Sequence, residues 1–377
     1  MDLEFSEDEA ALADAARDVL DGIAPTSVVR AVYEGTGDDA EVWRQMVELD
    51  WPGLAIAEEH GGVGMGFLEL AIVVQQLGRT LAPGPFLATA TQFAPAVQEL
   101  GSGELQHRTL EQVASGSLTG SLALAERGSW RSTAVRARAS RDEGGWRLSG
   151  TKEAVLHGAT VDELVVIARG DDGLGAFLVR PADVGVTPRT MLDPTLPLAD
   201  IALDGCAVPD ERVLAVPGPD AEAALVRAVE QATVALALAT TATCRRIFDD
   251  TLQYAKEREQ YGRPIGSFQA LKHRLADMYL AVERAASVCW YAALTIAEDD
   301  PRRAEAASIA KAAAGECQHL LVGEGLQLHG GIGMMWEHDL HFFLKRAKAG
   351  DALFGGAAEH RARLAERLGL VAQEVPA

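Results

Sequence analysis

The most informative segment of the chain reads Glu257-Arg-Glu-Gln-Tyr-Gly-Arg-Pro-Ile-Gly-Ser-Phe-Gln269. It is rich in the turn-forming residues glycine and proline, and it lies between two long runs with helical spacing of apolar residues. Helices are predicted over residues 221–254, 268–298, 301–328 and 340–368. Each is long enough to span a bundle, and the connections between them are short. The pattern therefore predicts a C-terminal four-helix bundle, with the quoted turn between its first two helices.

The periodicity changes twice upstream of this bundle. Residues 5–116 follow helical spacing, and Ser6 with Glu9 forms a capping box ahead of the first apolar stripe. Residues 118–216 alternate between apolar and polar positions, with glycine-rich turns between the runs. Strands are predicted over residues 119–124, 134–140, 145–149, 163–168, 174–179 and 200–203. We interpret this as an α+β fold with an N-terminal all-α domain (1–117), a middle antiparallel β-sandwich or barrel (118–218) and the bundle (219–377).

Charge and hydropathy exclude several classes of protein. The 377 residues include 55 acidic and 34 basic side chains, a formal net charge of -21. A nucleic-acid surface needs clustered cations, so a nucleic-acid partner is not expected. The first residues are acidic rather than a basic and then apolar leader. The longest Ala/Leu run, residues 232–243, is too short to cross a bilayer, so no membrane span is predicted.

The cysteines and histidines give no sign of a metal site. No two cysteines are spaced as a CxxC pair, which favours free thiols in a reducing, cytoplasmic setting. The histidines considered as ligands are isolated from one another in sequence. These residues are Cys206, Cys244, Cys289, Cys317, His157, His329 and His338. No metal ligand is therefore predicted.

Five separated segments together resemble the acyl-CoA dehydrogenase family. Besides residues 257–269, which lead into Leu275-Ala-Asp-Met278, they are Trp51-Pro-Gly-Leu-Ala-Ile-Ala-Glu-Glu-His-Gly-Gly62, Gly150-Thr-Lys152, Ala306-Ala-Ser-Ile-Ala-Lys311 and Gln327-Leu-His-Gly-Gly-Ile-Gly333. They occur in the family's order and cover nearly the whole chain. The resemblance implies the family's three-domain fold, FAD as cofactor, an acyl-CoA thioester as substrate and an electron-transfer flavoprotein as acceptor.

The resemblance also implies a division of labour between subunits. The family removes two hydrogens across Cα–Cβ, which requires a carboxylate base, the flavin N5 and hydrogen bonds to the thioester carbonyl. In such enzymes one protomer holds the flavin ring in cis, and its neighbour reaches the pyrophosphate and adenosine in trans. Each half can be compared separately with this sequence.

The trans half matches the family. Arg258 stands where the family places a guanidinium on the FAD pyrophosphate, a group that a planar fork suits. The other cofactor-binding residues implied in this half are Gln260, Tyr261, Phe268 and Gln269, and the loop Gln327, Leu328, His329, Gly330 and Gly331. A side chain at either glycine is expected to obstruct the cofactor. The alternative for Arg258 is a solvated surface arginine between Glu257 and Glu259.

The cis half departs from the family. Where the family has Thr-Glu-Pro, this chain has Ala125-Glu126-Arg127, so the flavin-binding Thr is an alanine. Where the family has a flavin-packing Trp and a Thr after the Gly-Thr-Lys turn, this chain has Ala154 and Leu156. The ring would lose an aromatic wall and two polar partners, and unpaired buried polar atoms cost about 1–3 kcal/mol each.

The base is also missing, so no catalytic residue is predicted. An ungapped count puts Phe354 where much of the family has the Glu of a Tyr-Glu-Gly-Thr run. The position that other members use, on the first bundle helix, is Ala232. Glu230 lies two residues away, and this rotates its side chain by about 200° from that face. Glu230 and Asp351 are the weak alternatives; otherwise both are solvated acids.

We interpret this asymmetry as that of a subunit which completes a partner's site. The chain resembles the base-deficient subunit of the heteromeric α2β2 acyl-CoA dehydrogenases of actinobacterial sterol side-chain degradation. It would supply Arg258, Gln269 and the 327–331 loop to FAD held by a paralogous catalytic chain. Two alternatives stay open: an autonomous homotetramer with an unrecognised base, and a non-catalytic scaffold that binds an acyl-CoA or a partner protein.

Overall fold

The structure, a computed structural model, describes residues 5–37 and 39–370. Helices come first, strands follow, and helices with a short hairpin end the order. The helices are α1 (Glu7–Ile23), α2 (Thr26–Tyr33), α3 (Ala40–Glu48), α4 (Phe67–Thr80), α5 (Phe86–Ala88), α6 (Ala94–Leu100), α7 (Gly103–Ala114), α8 (Pro219–Glu257), α9 (Gln269–Ala297), α10 (Arg303–His329), α11 (Leu340–Ala352) and α12 (Ala357–Arg367). The strands are β1 (Gly120–Ala123), β2 (Arg138–Asp142), β3 (Gly145–Ser149), β4 (Thr151–Leu156), β5 (Glu163–Arg169), β6 (Leu174–Val179), β7 (Gly185–Pro188), β8 (Leu198–Ala202), β9 (Cys206–Val208), β10 (Val213–Gly218), β11 (Glu259–Gln260) and β12 (Arg263–Pro264).

The predicted sequence of a helical, a β and a second helical zone is confirmed, and one predicted helix is wrong. The helix expected over residues 340–368 is interrupted, because α11 ends at Ala352 and α12 begins at Ala357. Between them Phe354 has φ 58° and Gly355 has φ 92°. A right-handed helix cannot continue through two left-handed residues, so the chain turns there.

The middle zone forms two sheets rather than a purely antiparallel sandwich. The larger sheet has the order β10-β6-β5-β2-β3-β9, with β1 beside β5, and the smaller has the order β4-β8-β7. Strand β1 runs parallel to β5, and so does β2 at a single pair, so the expectation of an all-antiparallel domain is wrong at β5. Sequence alternation does not distinguish the two directions, because both place successive side chains on opposite faces.

The chain forms two compact units. Unit 1 consists of Met1–Glu34, Ala71–Ala82 and Thr233–Ala377, and unit 2 consists of Gly35–Leu70 and Pro83–Ala232. Helix α8 runs from one unit into the other. The units do not follow the domain boundaries expected after residues 117 and 218. These boundaries stay a prediction.

Each unit has its own hydrophobic core. In unit 2 the period of two along β5 separates two clusters: Val165 and Ile167 join one, whereas Leu164 and Val166 join the other. In unit 1 the core lies among α8, α9, α10 and α11, around residues such as Met278. The sheets and the bundle are therefore each held together by their own buried apolar side chains.

The first helix begins as the sequence predicts. Ser6 Oγ accepts the backbone N–H of Glu9 at 3.2 Å, and Glu9 Oε2 accepts the backbone N–H of Ser6 at 2.7 Å. Both halves of the capping box are therefore present, which satisfies two backbone donors that would otherwise have no partner at the start of α1.

Helices α4 and α8 approach each other closely at Gly78. A Cβ on Gly78 would lie 2.2 Å from the carbonyl oxygen of Ala239, and Thr243 Oγ1 donates to the Gly78 carbonyl at 2.7 Å. The Gly78→Ala change should therefore lower the free energy of unfolding by about 1–3 kcal/mol through overpacking. Urea titration measures this. The matched control is Gly22→Ala in α1, where a Cβ meets nothing within 4 Å and should stabilise by up to about 1 kcal/mol. Equal effects at the two sites would contradict the packing argument.

Two helices reach the length and apolar content of a membrane span. They are α8 and α9, and 61% and 50% of their most apolar windows are buried within the fold. The residues 232–243 run, which we expected to be too short for a span, lies inside the 39-residue helix α8. Burial of this kind is typical of core helices in a bundle, and length and composition alone are weak evidence for a span.

Candidate functional site

A buried ion pair anchors the loop that carries the cis positions. Lys152 Nζ in β4 lies 2.5 Å from Glu126 Oε1, and the side chains are 0% and 7% exposed. Glu126 also accepts the backbone N–H groups of Arg136 at 2.7 Å and Ala137 at 3.0 Å. Burial lowers the pKa of Lys152 to about 8, against the opposing effect of Glu126. The carboxylate thus ties three separate parts of unit 2 together.

Three residues in left-handed conformation shape the backbone here. Arg127 and Gly128, with φ 50° and 72°, form the tip of a turn closed by hydrogen bonds between Glu126 and Ser129. Ala154, with φ 50°, lies at a register shift in the β4–β8 pairing, a β-bulge. Such bulges often lie next to active sites, but the conformation fixes the backbone and not the chemistry of the side chain.

The side chains at the cis positions carry no polar group. Ala125 and Leu156 are buried, and Ala154 is half-buried. The nearby backbone donors are already used: the N–H of Glu153 donates to the Ala125 carbonyl at 2.8 Å, and that of Ala154 donates to Asp200 Oδ1 at 3.0 Å. These residues therefore offer a flavin ring neither hydroxyl nor aromatic wall, and they do not fit the family's ring site.

The trans segment forms a hairpin at the end of α8. Tyr261 and Gly262, with φ 54° and 73°, make the tip between β11 and β12, and the Tyr261 side chain is 91% exposed. The Arg263 guanidinium lies over the Phe268 ring, 4.2 Å from its centroid. Phe268 is half-buried and Gln269, Gln260 and Tyr261 are exposed. The hairpin thus presents polar and aromatic groups outward.

Arg258 has a fixed backbone and an available side chain. Its N–H donates to the Tyr254 carbonyl, and its own carbonyl accepts from Ile265, both at 2.8 Å. The side chain is exposed, and within residues 5–37 and 39–370 it makes no hydrogen bond or ion pair, even with Glu257 or Glu259. The guanidinium is therefore free to receive an anion, as the nucleotide end of FAD requires.

The segment from Gln327 to Gly331 differs from the expected loop. Gln327, Leu328 and His329 form the last turn of α10, and only at Gly330, with φ 64°, does the helix stop. Leu328 and His329 are buried; His329 Nδ1 lies 2.8 Å from the Gly325 carbonyl, and burial lowers the His329 pKa. A Cβ on Gly330 or Gly331 meets nothing within 4 Å, so that end is open. Gln327 and the glycine backbone face outward, whereas Leu328 and His329 support them.

The residue at the expected base position is not a carboxylate. Phe354 is buried, and its carbonyl oxygen lies 2.9 Å from His360 Nε2. Asp351 Oδ2 accepts from Gln318 Nε2 at 3.2 Å, and the Asp351 carbonyl accepts from Lys311 at 2.8 Å. Asp351 therefore belongs to the packing between α10 and α11.

The two positions on α8 considered for the base are Ala232 and Glu230. Ala232 is 1% exposed, and Glu230 is half-buried. Sequence reasoning did not foresee the pairing of Lys152 with Glu126 or the burial of Lys311. A signal existed only for Lys311, which interrupts an apolar run from residue 309 to 314. Lys152 lies between Thr151 and Glu153, so nothing in its local sequence indicated burial.

Comparisons with known proteins agree along the chain. A model of the acyl-CoA dehydrogenase N-terminal domain matches residues 6–117, and one of the acyl-CoA dehydrogenase C-terminal domain matches residues 223–369. Acyl-CoA dehydrogenase IpdE2 of Mycobacterium tuberculosis is 33% identical over 341 residues, 90% of each chain.

Two solved structures superpose on nearly the whole chain. A chain of the ChsE4–ChsE5 complex of Mycobacterium tuberculosis superposes with a TM-score of 0.88 and 29% identity over 100% of both chains. A variant of the Tcur3481–Tcur3483 steroid ACAD superposes with 0.85 and 32%, over 97% of this chain and 98% of that one.

Proposed function

The chain belongs to the acyl-CoA dehydrogenase family of FAD-using CH–CH oxidoreductases, and from this we propose that it is the subunit of a heteromer that completes a partner's FAD site. The observation that carries the proposal is a contrast between two sets of residues. Arg258 is exposed and unpaired in the described chain, whereas Phe354 stands at the base position. The three cis positions compared with the family's Thr, Trp and Thr carry the apolar residues Ala125, Ala154 and Leu156. Two similar solved structures bear paired names, the ChsE4–ChsE5 complex and the Tcur3481–Tcur3483 steroid ACAD, and this pairing supports a heteromer.

The chemistry divides accordingly. FAD, when bound, accepts the hydride from the β-carbon of the acyl-CoA. In this chain Arg258 would hold the pyrophosphate with two N–H groups, and Gln269, Gln327 and the Gly330–Gly331 backbone would hold the rest of the nucleotide end. The partner would supply the carboxylate that takes the α-proton. The similarity to the Tcur3481–Tcur3483 steroid ACAD favours a CoA thioester of a sterol side chain as the substrate class.

Counting flavins tests the proposal. The full-length chain, purified alone, should carry no stoichiometric FAD and should not dehydrogenate acyl-CoA. Co-expressed with a paralogous catalytic chain, it should form a complex in which native mass spectrometry and flavin absorbance give fewer flavins than subunits. Full flavin occupancy with turnover by the chain alone would refute the proposal, and a complex with no flavin band would favour the scaffold.

Glu230 separates the proposed heteromer from an autonomous enzyme. In the complex, Glu230→Gln should leave turnover close to that of the unsubstituted complex, because the base belongs to the partner. If Glu230 takes the α-proton, the same change should abolish turnover while leaving flavin content unchanged. Steady-state rates with one acyl-CoA, corrected for flavin content, distinguish the two outcomes.

A further inference from the structure

A cavity within unit 1 is lined by none of the candidate FAD-binding residues and by none of the candidate base positions. Its volume is about 480 Å3, and it is enclosed by residues of α1, α4, α8 and α9 together with Phe5. Phe5, Leu238 and Val282 form an apolar wall, and Arg17, Arg79 and Arg245 bring guanidinium groups to its edge. Small-molecule pockets in proteins commonly have about 300–1,000 Å3 and this combination of an apolar body with a few polar groups.

The charge of the lining is opposite to that of the chain. Among the residues that the structure describes, three arginines and one carboxylate, Glu283, line the cavity, in a chain of net charge -21. Each arginine has a carboxylate neighbour: Asp14 lies 3.0 Å from Arg17, Asp21 lies 2.5 Å from Arg79, and Glu283 pairs with Arg245. A guanidinium has five N–H donors, so one carboxylate neighbour leaves donors for a bound anion.

An amide on α4 adds a neutral hydrogen-bond donor to the lining. Gln76 lines the cavity and is 7% exposed. Its Oε1 accepts from Arg79 Nε at 3.2 Å, and this fixes the orientation of the amide. Its Nε2 has no acceptor in the part of the chain that the structure describes. This N–H2 group is therefore available to donate a hydrogen bond to an acceptor on a ligand in the cavity.

We propose that this cavity binds a small monocarboxylate with an apolar body, separately from the FAD and acyl-CoA positions. The carboxylate would lie against Gln76 and the arginines, because a planar guanidinium donates two parallel hydrogen bonds to it. The apolar body would lie against Phe5, Leu238 and Val282. An inorganic phosphate does not fit as well, because it would leave the apolar wall in water.

Calorimetric titration of the full-length protein, alone or in its complex, with octanoate and with 1-octanol tests the proposal. Octanoate should bind once per chain and more tightly than 1-octanol, which has the same body without the charge. The changes Arg245→Gln and Gln76→Glu should each weaken octanoate about tenfold or more, through a lost charged donor and an added repulsive carboxylate. Arg17→Gln, at a side chain 46% exposed, tests the same idea with little risk to folding.

The matched control is Arg284→Gln. Arg284 lies on α9 next to Glu283, but it pairs with Glu316 and does not line the cavity. This variant loses the same charge and should bind octanoate as the unsubstituted protein does. Absence of octanoate binding would overturn the proposal, and so would equal binding of octanoate and 1-octanol. Octanoate that an acyl-CoA displaces, and that the cavity variants leave unchanged, would occupy the substrate position instead and would also overturn it.

Discussion

Replacing Lys152 by methionine should lower the free energy of unfolding by about 3–5 kcal/mol. The change leaves the Glu126 carboxylate buried, and among the described residues the N–H groups of Arg136 and Ala137 are then its remaining donors. Urea denaturation of the full-length chain measures the loss. The double variant Lys152→Met with Glu126→Gln should recover part of it, because the orphaned charge is then gone while the amide oxygen still accepts both N–H groups.

A surface pair in the same unit is the control. Arg141 and Asp210 form an exposed bidentate pair, so Arg141→Gln should change stability far less than Lys152→Met. If Lys152→Met and Arg141→Gln are equally stable, the buried pair of Lys152 and Glu126 does not stabilise the fold around β4.

The dependence on pH gives the Lys152 prediction a second readout. In the folded chain the Lys152 pKa is about 8, below its ordinary value of 10.5. Between these pH values an unfolded chain binds a proton that the folded chain has released, so this group makes the fold more stable as pH rises. The stability difference between wild type and Lys152→Met should therefore grow by about 2 kcal/mol from pH 7.5 to 9.5. Lys311, whose pKa burial also lowers to about 8, titrates in both proteins and cancels.

Replacing Arg258 by glutamine should weaken FAD binding in the complex about ten- to a hundredfold, without changing the stability of this chain. The prediction depends on the proposed function. The guanidinium has no partner within the described residues, so its loss removes no internal contact. What it removes is a charged hydrogen-bonding fork from the pyrophosphate. Arg258→Lys should be intermediate, because an ammonium keeps the charge and loses the fork.

Flavin release on dilution, followed by fluorescence, measures this change. The matched control is Arg274→Gln on α9, where an exposed arginine pairs with Glu324. It removes one positive charge from the same unit and should leave flavin affinity unchanged. If the Arg258 variants retain FAD as tightly as the control does, Arg258 is a solvated surface residue and the trans assignment is wrong.

The fold could be predicted where its pattern is local. The helix expected over residues 268–298 was observed as Gln269–Ala297, and the strands 145–149 and 174–179 have the predicted bounds. Strand β4 was missed because its bulge at Ala154 and its buried Lys152 break the alternation. The break between α11 and α12 was missed because Leu353 and Phe354 continue an apolar run through a left-handed turn.

The candidate site was predictable to the extent that it lies in contiguous sequence. Residues 258–269 form one hairpin and the start of α9, so the local sequence motif is enough to predict where they lie. The cavity of unit 1 could not be found in this way, because Phe5, Gln76 and Arg245 meet only through the packing of helices far apart in sequence. Nor could the burial of Leu328 and His329, which depends on the tertiary neighbours of the last turn of α10.

The exposed tip of the β11–β12 hairpin determines which assays would detect a substitution there. Tyr261 contributes almost nothing to the interior of its own subunit, since nine-tenths of its side chain is in water. A substitution there would pass unnoticed through expression, melting and circular dichroism. In the proposed heteromer its defect would first appear when the two unlike chains are mixed, so changes at this tip should be tested on the assembled complex.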